Sequence, residues 1–118
     1  MKRILIVDDQ SDVREILSDF LTFKGFEVIQ AENGELALKE YCDTKPDAAV
    51  VDVDMPIMNG LQFSRQVLQK NEHFPIIIIS AYLENYSRND ISDIGVKAIM
   101  QKPLDLNDLY KNIQAVLA

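Results

Sequence analysis

The chain is poor in several residue types, and each shortage closes off a class of function. It holds one cysteine, Cys42, and one histidine, His73, in 118 residues. A single cysteine excludes an intrachain disulfide, which fits a reducing compartment. One Cys and one His, not at ligand spacing, supply no zinc set. His73 precedes Phe74–Pro75 in an expected loop and is a poor phosphoryl donor. Neither a GxGxxG nor a GxxxxGK[ST] loop is present, which weakens nucleotide binding. Basic residues are the minority, 12 against 19 acidic, for a net charge of −7. That balance argues against nucleic acid or an acidic membrane as the main partner. No apolar run approaches the ~18 residues a membrane helix needs. The N-terminal basic–apolar stretch stops at Asp8, too early for a signal sequence. A cytoplasmic protein is the expectation.

What is present is a core. Hydrophobic residues make up 47% of the chain, and its length suits one domain. Residues 3–7, 27–31, 48–52, 76–80 and 98–101 read as strands. The segments IleLeuIleVal (4–7), AlaAlaValVal (48–51) and IleIleIleIle (76–79) are apolar at every position. That pattern suits parallel strands covered on both faces. Amphipathic stretches lie between them. Val13, Ile16, Leu17, Phe20 and Leu21 form one helical stripe, with Ser11 as the expected N-cap, Gly25 as the stop and the stripe read as core. Asn33 caps a second helix through Leu36, Ala37 and Tyr41, which places Cys42 in a helix as a half-buried structural thiol. A third helix runs from Gly60 to about Asn71. The last carries Leu106, Leu109, Tyr110, Ile113 and Leu117 behind an Asp105 cap, and Asp108 suits its dipole. Residues 83–96 are rich in Asn, Ser and Asp, which favour turns and caps. A short or irregular fourth helix is expected around 87–94.

This alternation is a (βα)₅ pattern, and it implies a parallel sheet with right-handed crossovers and helices on both faces. In open sheets of this class ligands bind beyond the carboxyl ends of the strands. Asp8 and Asp9 follow strand 1, Asp52 closes strand 3, Ser80 closes strand 4 and Lys102 follows strand 5. All fall on one edge. Two carboxylates ~4 Å apart repel by roughly 4 kcal/mol at an effective dielectric of ~20. A cluster of them needs a raised pKa, a cation, or both. Oxygen donors of this kind suit Mg²⁺ or Mn²⁺. Mg²⁺ held by one or two carboxylates usually serves a phosphate, to which Ser80 can donate and whose charge Lys102 can offset. A free carboxylate in such a site can attack phosphorus and become an acyl phosphate. Asp52, at the end of a central strand, is the best candidate. Each element alone is commonplace, but their joint occurrence at four strand ends is not.

The segments IleLeuIleValAspAsp (4–9), ValValAspValAspMetProIleMetAsnGly (50–60), IleIleIleIleSerAla (76–81) and LysProLeu (102–104) resemble the receiver domain of two-component response regulators. The resemblance covers roughly residues 2–117. It implies a flavodoxin-like sheet in the order 2-1-3-4-5. It also implies Asp52 as phosphoacceptor, Asp8, Asp9 and Asp52 around the metal, and the Asp54 carbonyl completing the protein ligands. Ser80 would follow the phosphoryl group, Lys102 would pair with its oxygens, and the Lys102–Pro103 bond would be cis. Met55–Pro56 and Gly60 would shape the loop after Asp52. Tyr82 and Asp54 fall at positions that tune phosphoryl lifetime.

One departure stands out. The family's switch aromatic on strand 5 corresponds to Ile99, which cannot swing a ring inward, so the Ser80–aromatic coupling is either lacking here or runs through Tyr82 or another side chain. The implied partners are a sensor histidine kinase or phosphotransfer protein, and a downstream protein on the face of the fourth helix, fifth strand and fifth helix. A monomer or weak homodimer is expected. So is a single receiver over residues 1–118 without an output domain, either standing alone or as a fragment. It would not be an enzyme in its own right, although it would promote its own phosphorylation and dephosphorylation. Two other readings compete: a receiver-like interaction domain that ignores phosphate, and a haloacid-dehalogenase-like phosphatase built on AspValAspMet (52–55). Pro56, the mid-chain position of the motif and the lack of room for a cap domain count against the second.

Overall fold

The computed structural model describes residues 1–118, the side chain of Arg88 excepted. Five strands, β1 (Arg3–Val7), β2 (Glu27–Ala31), β3 (Ala48–Asp52), β4 (Ile76–Ser80) and β5 (Ala98–Gln101), alternate with α1 (Ser11–Phe23), α2 (Gly34–Thr44), α3 (Gly60–Lys70), α4 (Arg88–Ser92) and α5 (Leu106–Leu117). All strand pairs are parallel and the sheet order is β2-β1-β3-β4-β5. The expected fold class and order are those observed.

The period of two along each strand splits the core into two layers. Leu5, Val7, Val51, Ile76 and Ile78 pack with Phe63, Val67 and Ile91 on one face. Ile4, Ile6, Val50, Ile77 and Ile79 pack with Leu17, Leu21, Leu109 and Ile113 on the other. β3 and β4 are buried along their whole length, as central parallel strands require. Asp52 and Ser80 end these strands, so the fold carries two polar side chains to the rim of its most buried region.

The helix ends show where local chemistry acts. After α1, Gly25 (φ 95°) takes the left-handed position. The Gly25 N–H donates to the Thr22 carbonyl and the Phe26 N–H to the Leu21 carbonyl, both at 3.0 Å, a Schellman closure. Asn33 and Asp105 cap α2 and α5 through their side chains. At the start of α1 the expectation fails. The N-cap is Gln10 and makes no side-chain cap bond, while Ser11 is the first helical residue. The Gln10 N–H is turned instead towards Asp8 Oδ1, at 2.9 Å. Ile16, read as core, is 57% exposed, and Cys42, read as half-buried, lies on the exposed side of α2. α1 packs on the face of Ile4 and Ile6 and α2 on the face of Leu5 and Val7, so each helix has one covered side, and Ile16 and Cys42 lie off it. Between β4 and α4 a short 3₁₀ turn (Leu83–Asn85) replaces regular helix, and α4 has only five residues.

Candidate functional site

The carboxyl edge of the sheet draws Asp8, Asp9 and Asp52 together, with one oxygen from each within 4.8 Å of the others. Asp8 is fully buried and Asp52 nearly so, whereas Asp9 faces solvent. Lys102, just past β5, reaches across this group. Its Nζ lies 2.7 Å from Asp8 Oδ2 and 3.6 Å from Asp52 Oδ2. A cavity of about 170 Å³ opens here, and Asp9, Asp52, Asp54, Tyr82 and Lys102 line it. The Lys102–Pro103 peptide bond is cis.

The electrostatics follow from this packing. Burial is the first reason why the Asp52 carboxyl is pushed up to about 7, and the neighbouring Asp8 charge is the second. Lys102 opposes the rise without cancelling it. Burial alone would lower the Lys102 ammonium, but the hydrogen bond to Asp8 and the charges of Asp52 and Asp8 leave it raised. A buried acid that holds a proton near neutrality beside two other acids is a site short of positive charge. Its donors are all hard oxygens, the set that Mg²⁺ or Mn²⁺ prefers. The residues present therefore fit such a cation.

The loop after Asp52 is shaped by two backbone features. Gly60 passes so close to β3 that a Cβ placed on it would meet the Asp52 carbonyl oxygen at 2.1 Å. Only glycine allows that approach, and it fixes the return of the loop against the site. Ahead of it the Met58 N–H donates to the Pro56 carbonyl at 2.8 Å, closing a tight turn centred on Ile57 at φ 70°. A β-branched residue seldom adopts that conformation, so sequence reading had no cue for it. Asn59 and Gln62 then form a reciprocal capping box at the start of α3, a signal that was available and was missed.

Asp54 sits differently from the other acids. Its carboxylate accepts from Ser80 Oγ at 3.0 Å and from Tyr86 Oη at 2.7 Å. The Tyr82 N–H in turn donates to Ser80 Oγ at 3.0 Å. Tyr82 itself is 54% exposed. Ile99 is partly buried and packs against the same apolar cluster as Tyr86, on the α3–α4 side of the sheet. Tyr86 was not foreseen, because nothing in its spacing from Ser80 indicates that its hydroxyl reaches a carboxylate on another loop.

A second, larger hollow of about 490 Å³ adjoins the acid site. It is apolar, lies between α1 and the β5–α5 loop, and shares Ala81 and Lys102 with the acid cavity. Ile16 lines it, along with Val13, Leu17 and Leu104.

A doubly wound five-stranded sheet with an acid cluster at its carboxyl edge defines a class, and the comparisons name it. Residues 4–114 match the response regulator receiver domain model, and the chain belongs to that family. It is 34% identical over 117 residues to the regulatory protein AtoC of Escherichia coli, covering 99% of this chain and 25% of that protein. It is 36% identical over 115 residues to the response regulator MprA of a Mycobacterium species, covering 98% of this chain and 50% of that one. The chain thus spans a quarter to a half of these relatives. Among solved structures, the response regulator TrrA of Thermotoga maritima, crystallised in complex with Mg²⁺–BeF, is 33% identical with a TM-score of 0.90, covering 99% of this chain and 100% of that chain. Among the described residues, no helix is long and apolar enough to cross a membrane.

Proposed function

We propose that this receiver domain accepts a phosphoryl group on Asp52 from a phosphohistidine of a partner protein, and that the change controls binding to a downstream protein. The observation that carries the reading is the buried Asp52 carboxyl beside Asp8, Asp9 and the Lys102 ammonium. In the transfer an Asp52 carboxylate oxygen attacks phosphorus, the phosphorus–nitrogen bond breaks, and the leaving imidazole takes up a proton. Attack of water on phosphorus later returns the carboxylate and inorganic phosphate. The domain promotes both steps on itself without turning over a separate substrate.

Asp8, Asp9 and Asp52, with the Asp54 backbone carbonyl, would hold Mg²⁺, and Mn²⁺ would suit the same oxygens. When bound, the cation offsets the charge of the carboxylates and of the phosphoryl oxygens. Lys102 contributes a second positive charge that can follow the incoming oxygens, since it already bridges Asp8 and Asp52. Ser80 supplies a hydroxyl donor from the end of β4. Tyr82, exposed over the cavity, limits the approach of water. Gly60 keeps the loop carrying Asp54 close to the site.

The phosphodonor must bring its histidine to Asp52. The apolar hollow between α1 and the β5–α5 loop meets the acid cavity at Ala81 and Lys102, so a helical protein seated there would have its histidine beside the acceptor. The face of α4, β5 and α5 is the proposed output surface. The test is incubation with a small phosphodonor and Mg²⁺, followed by intact-mass measurement. The wild-type chain should gain one labile phosphoryl group and Asp52→Asn none. No gain in the wild type, or an equal gain in the variant, would sink the proposal.

A further inference from the structure

We infer that Tyr86 is a positioning residue for this chemistry: its hydroxyl pins the Asp54 carboxylate, which holds the Ser80 hydroxyl away from the phosphoryl site until Asp52 is modified. The inference rests on the phosphoacceptor reading of Asp52 and adds a restraint that acts on it.

Proton counting supports it. A serine hydroxyl has one hydrogen to donate. Here Ser80 donates it to Asp54 Oδ2 at 3.0 Å. It cannot then also donate to a phosphoryl oxygen, so Ser80 must leave Asp54 before it can serve the phosphorylated state. Asp54 is in turn fixed by Tyr86, whose hydroxyl donates to the other carboxylate oxygen at 2.7 Å. Bonds of this kind to a charged acceptor are short and strong. With both oxygens engaged, the carboxylate has one orientation. Without Tyr86 it would be free to rotate into the cavity it lines.

The same network explains how a signal leaves the site without an aromatic at position 99. Ile99 is partly buried in the same apolar cluster as Tyr86. Tyr86 closes the 3₁₀ turn ahead of α4, donating its N–H to the Leu83 carbonyl at 3.1 Å. The Tyr82 N–H is tied to Ser80 Oγ. Departure of Ser80 therefore loosens the turn at both ends, Tyr82 directly and Tyr86 through Asp54. An arriving phosphoryl dianion repels the Asp54 carboxylate and competes for the Ser80 proton, so both effects act to open the restraint. Such an element has two arrangements, and the ligand biases it by its different affinity for each.

The test is a titration with beryllofluoride and Mg²⁺, read from the backbone amides of Ser80 and Tyr82 by NMR, on the wild type, Tyr86→Phe, Asp54→Ala and the double variant. Phenylalanine keeps the ring and its packing and removes only the hydroxyl. Tyr86→Phe should bind beryllofluoride about tenfold more tightly, the scale of one hydrogen bond to a charged group. Before any ligand is added, its Ser80 and Tyr82 amides should already sit part of the way towards their bound positions. Asp54→Ala should behave similarly, and the double variant should gain little beyond either single one, the signature of groups acting as a unit. Unchanged amides and affinity in Tyr86→Phe, a loss of affinity, or additive gains in the double variant would overturn the inference while wild-type binding upheld the phosphoacceptor reading. A wild type that binds no beryllofluoride would remove that reading, and the role of Tyr86 with it.

Discussion

Replacing Asp52 by asparagine should stabilise the metal-free protein, and the gain should depend on pH in a way that identifies its cause. Asp52 is 3% exposed, and its carboxyl is raised from 3.8 to about 7 in the folded chain. Between those values the folded protein holds a proton that the unfolded chain has lost. Stability therefore falls as pH rises through this window, by about 1.4 kcal/mol per pH unit, and levels off above pH ~7. The whole shift corresponds to a ceiling of roughly 4 kcal/mol. Over the accessible range from about pH 5 to pH 7 the expected loss is about 2 kcal/mol. Asparagine keeps the shape and carries no charge, so Asp52→Asn should lack this slope, and Lys102 retains Asp8 as its 2.7 Å partner. Urea unfolding in a chelator, at pH 5, 6, 7 and 8, measures both chains. The two stability curves should diverge with rising pH, the variant being more stable at pH 8. Added Mg²⁺ at ten times its dissociation constant should return about 1.4 kcal/mol to the wild type and little to the variant. Parallel curves, or a wild type that gains on the variant as pH rises, would refute the electrostatic reasoning.

Other outcomes follow from the same geometry. Lys102→Met should destabilise the metal-free fold by about 3 kcal/mol in urea unfolding, because it leaves the fully buried Asp8 without its ion pair. Mg²⁺ should recover part of that loss. Gly60→Ala forces a methyl group onto the Asp52 carbonyl. It should cost more than about 2 kcal/mol of stability and slow phosphorylation by a small donor, because the loop can relieve the clash only by moving away from the site.

The framework was legible because it rests on long-range necessity. The runs 4–7, 48–51 and 76–79 suit strands buried on both faces, and the observed strands end with those runs or one residue past them, at Val7, Asp52 and Ser80. Gathering of the acids was legible for the same reason, since strand ends of a parallel sheet share an edge. Local detail was harder. Ser11 had the right chemistry for a cap, but the chain turns into α1 one residue earlier, with Asp8 accepting the Gln10 N–H. Ile16 fits the helical stripe yet lies beyond the edge of the sheet surface it was expected to cover, where it lines the apolar hollow. Cys42 was placed in a helix correctly, but it is exposed where a half-buried thiol was expected. Periodicity supplies a face but not the neighbour that covers it. The Tyr86–Asp54–Ser80 network joins side chains from two loops and the end of β4, and such a meeting depends on loop conformation, which composition does not specify. Ile57 at φ 70° is a similar case, because its residue type argues against the conformation it adopts.

The most direct test of the central claim is chemical trapping of the modified side chain. The protein is incubated with Mg²⁺ and a small phosphodonor, reduced with borohydride, digested and mapped by mass spectrometry. An acyl phosphate at Asp52 predicts a single reduced aspartate, in the peptide containing residue 52, and its absence when phosphodonor or Mg²⁺ is withheld. Reduction at Asp8, Asp9 or Asp54 in place of Asp52, or no donor-dependent reduction at all, would contradict the account.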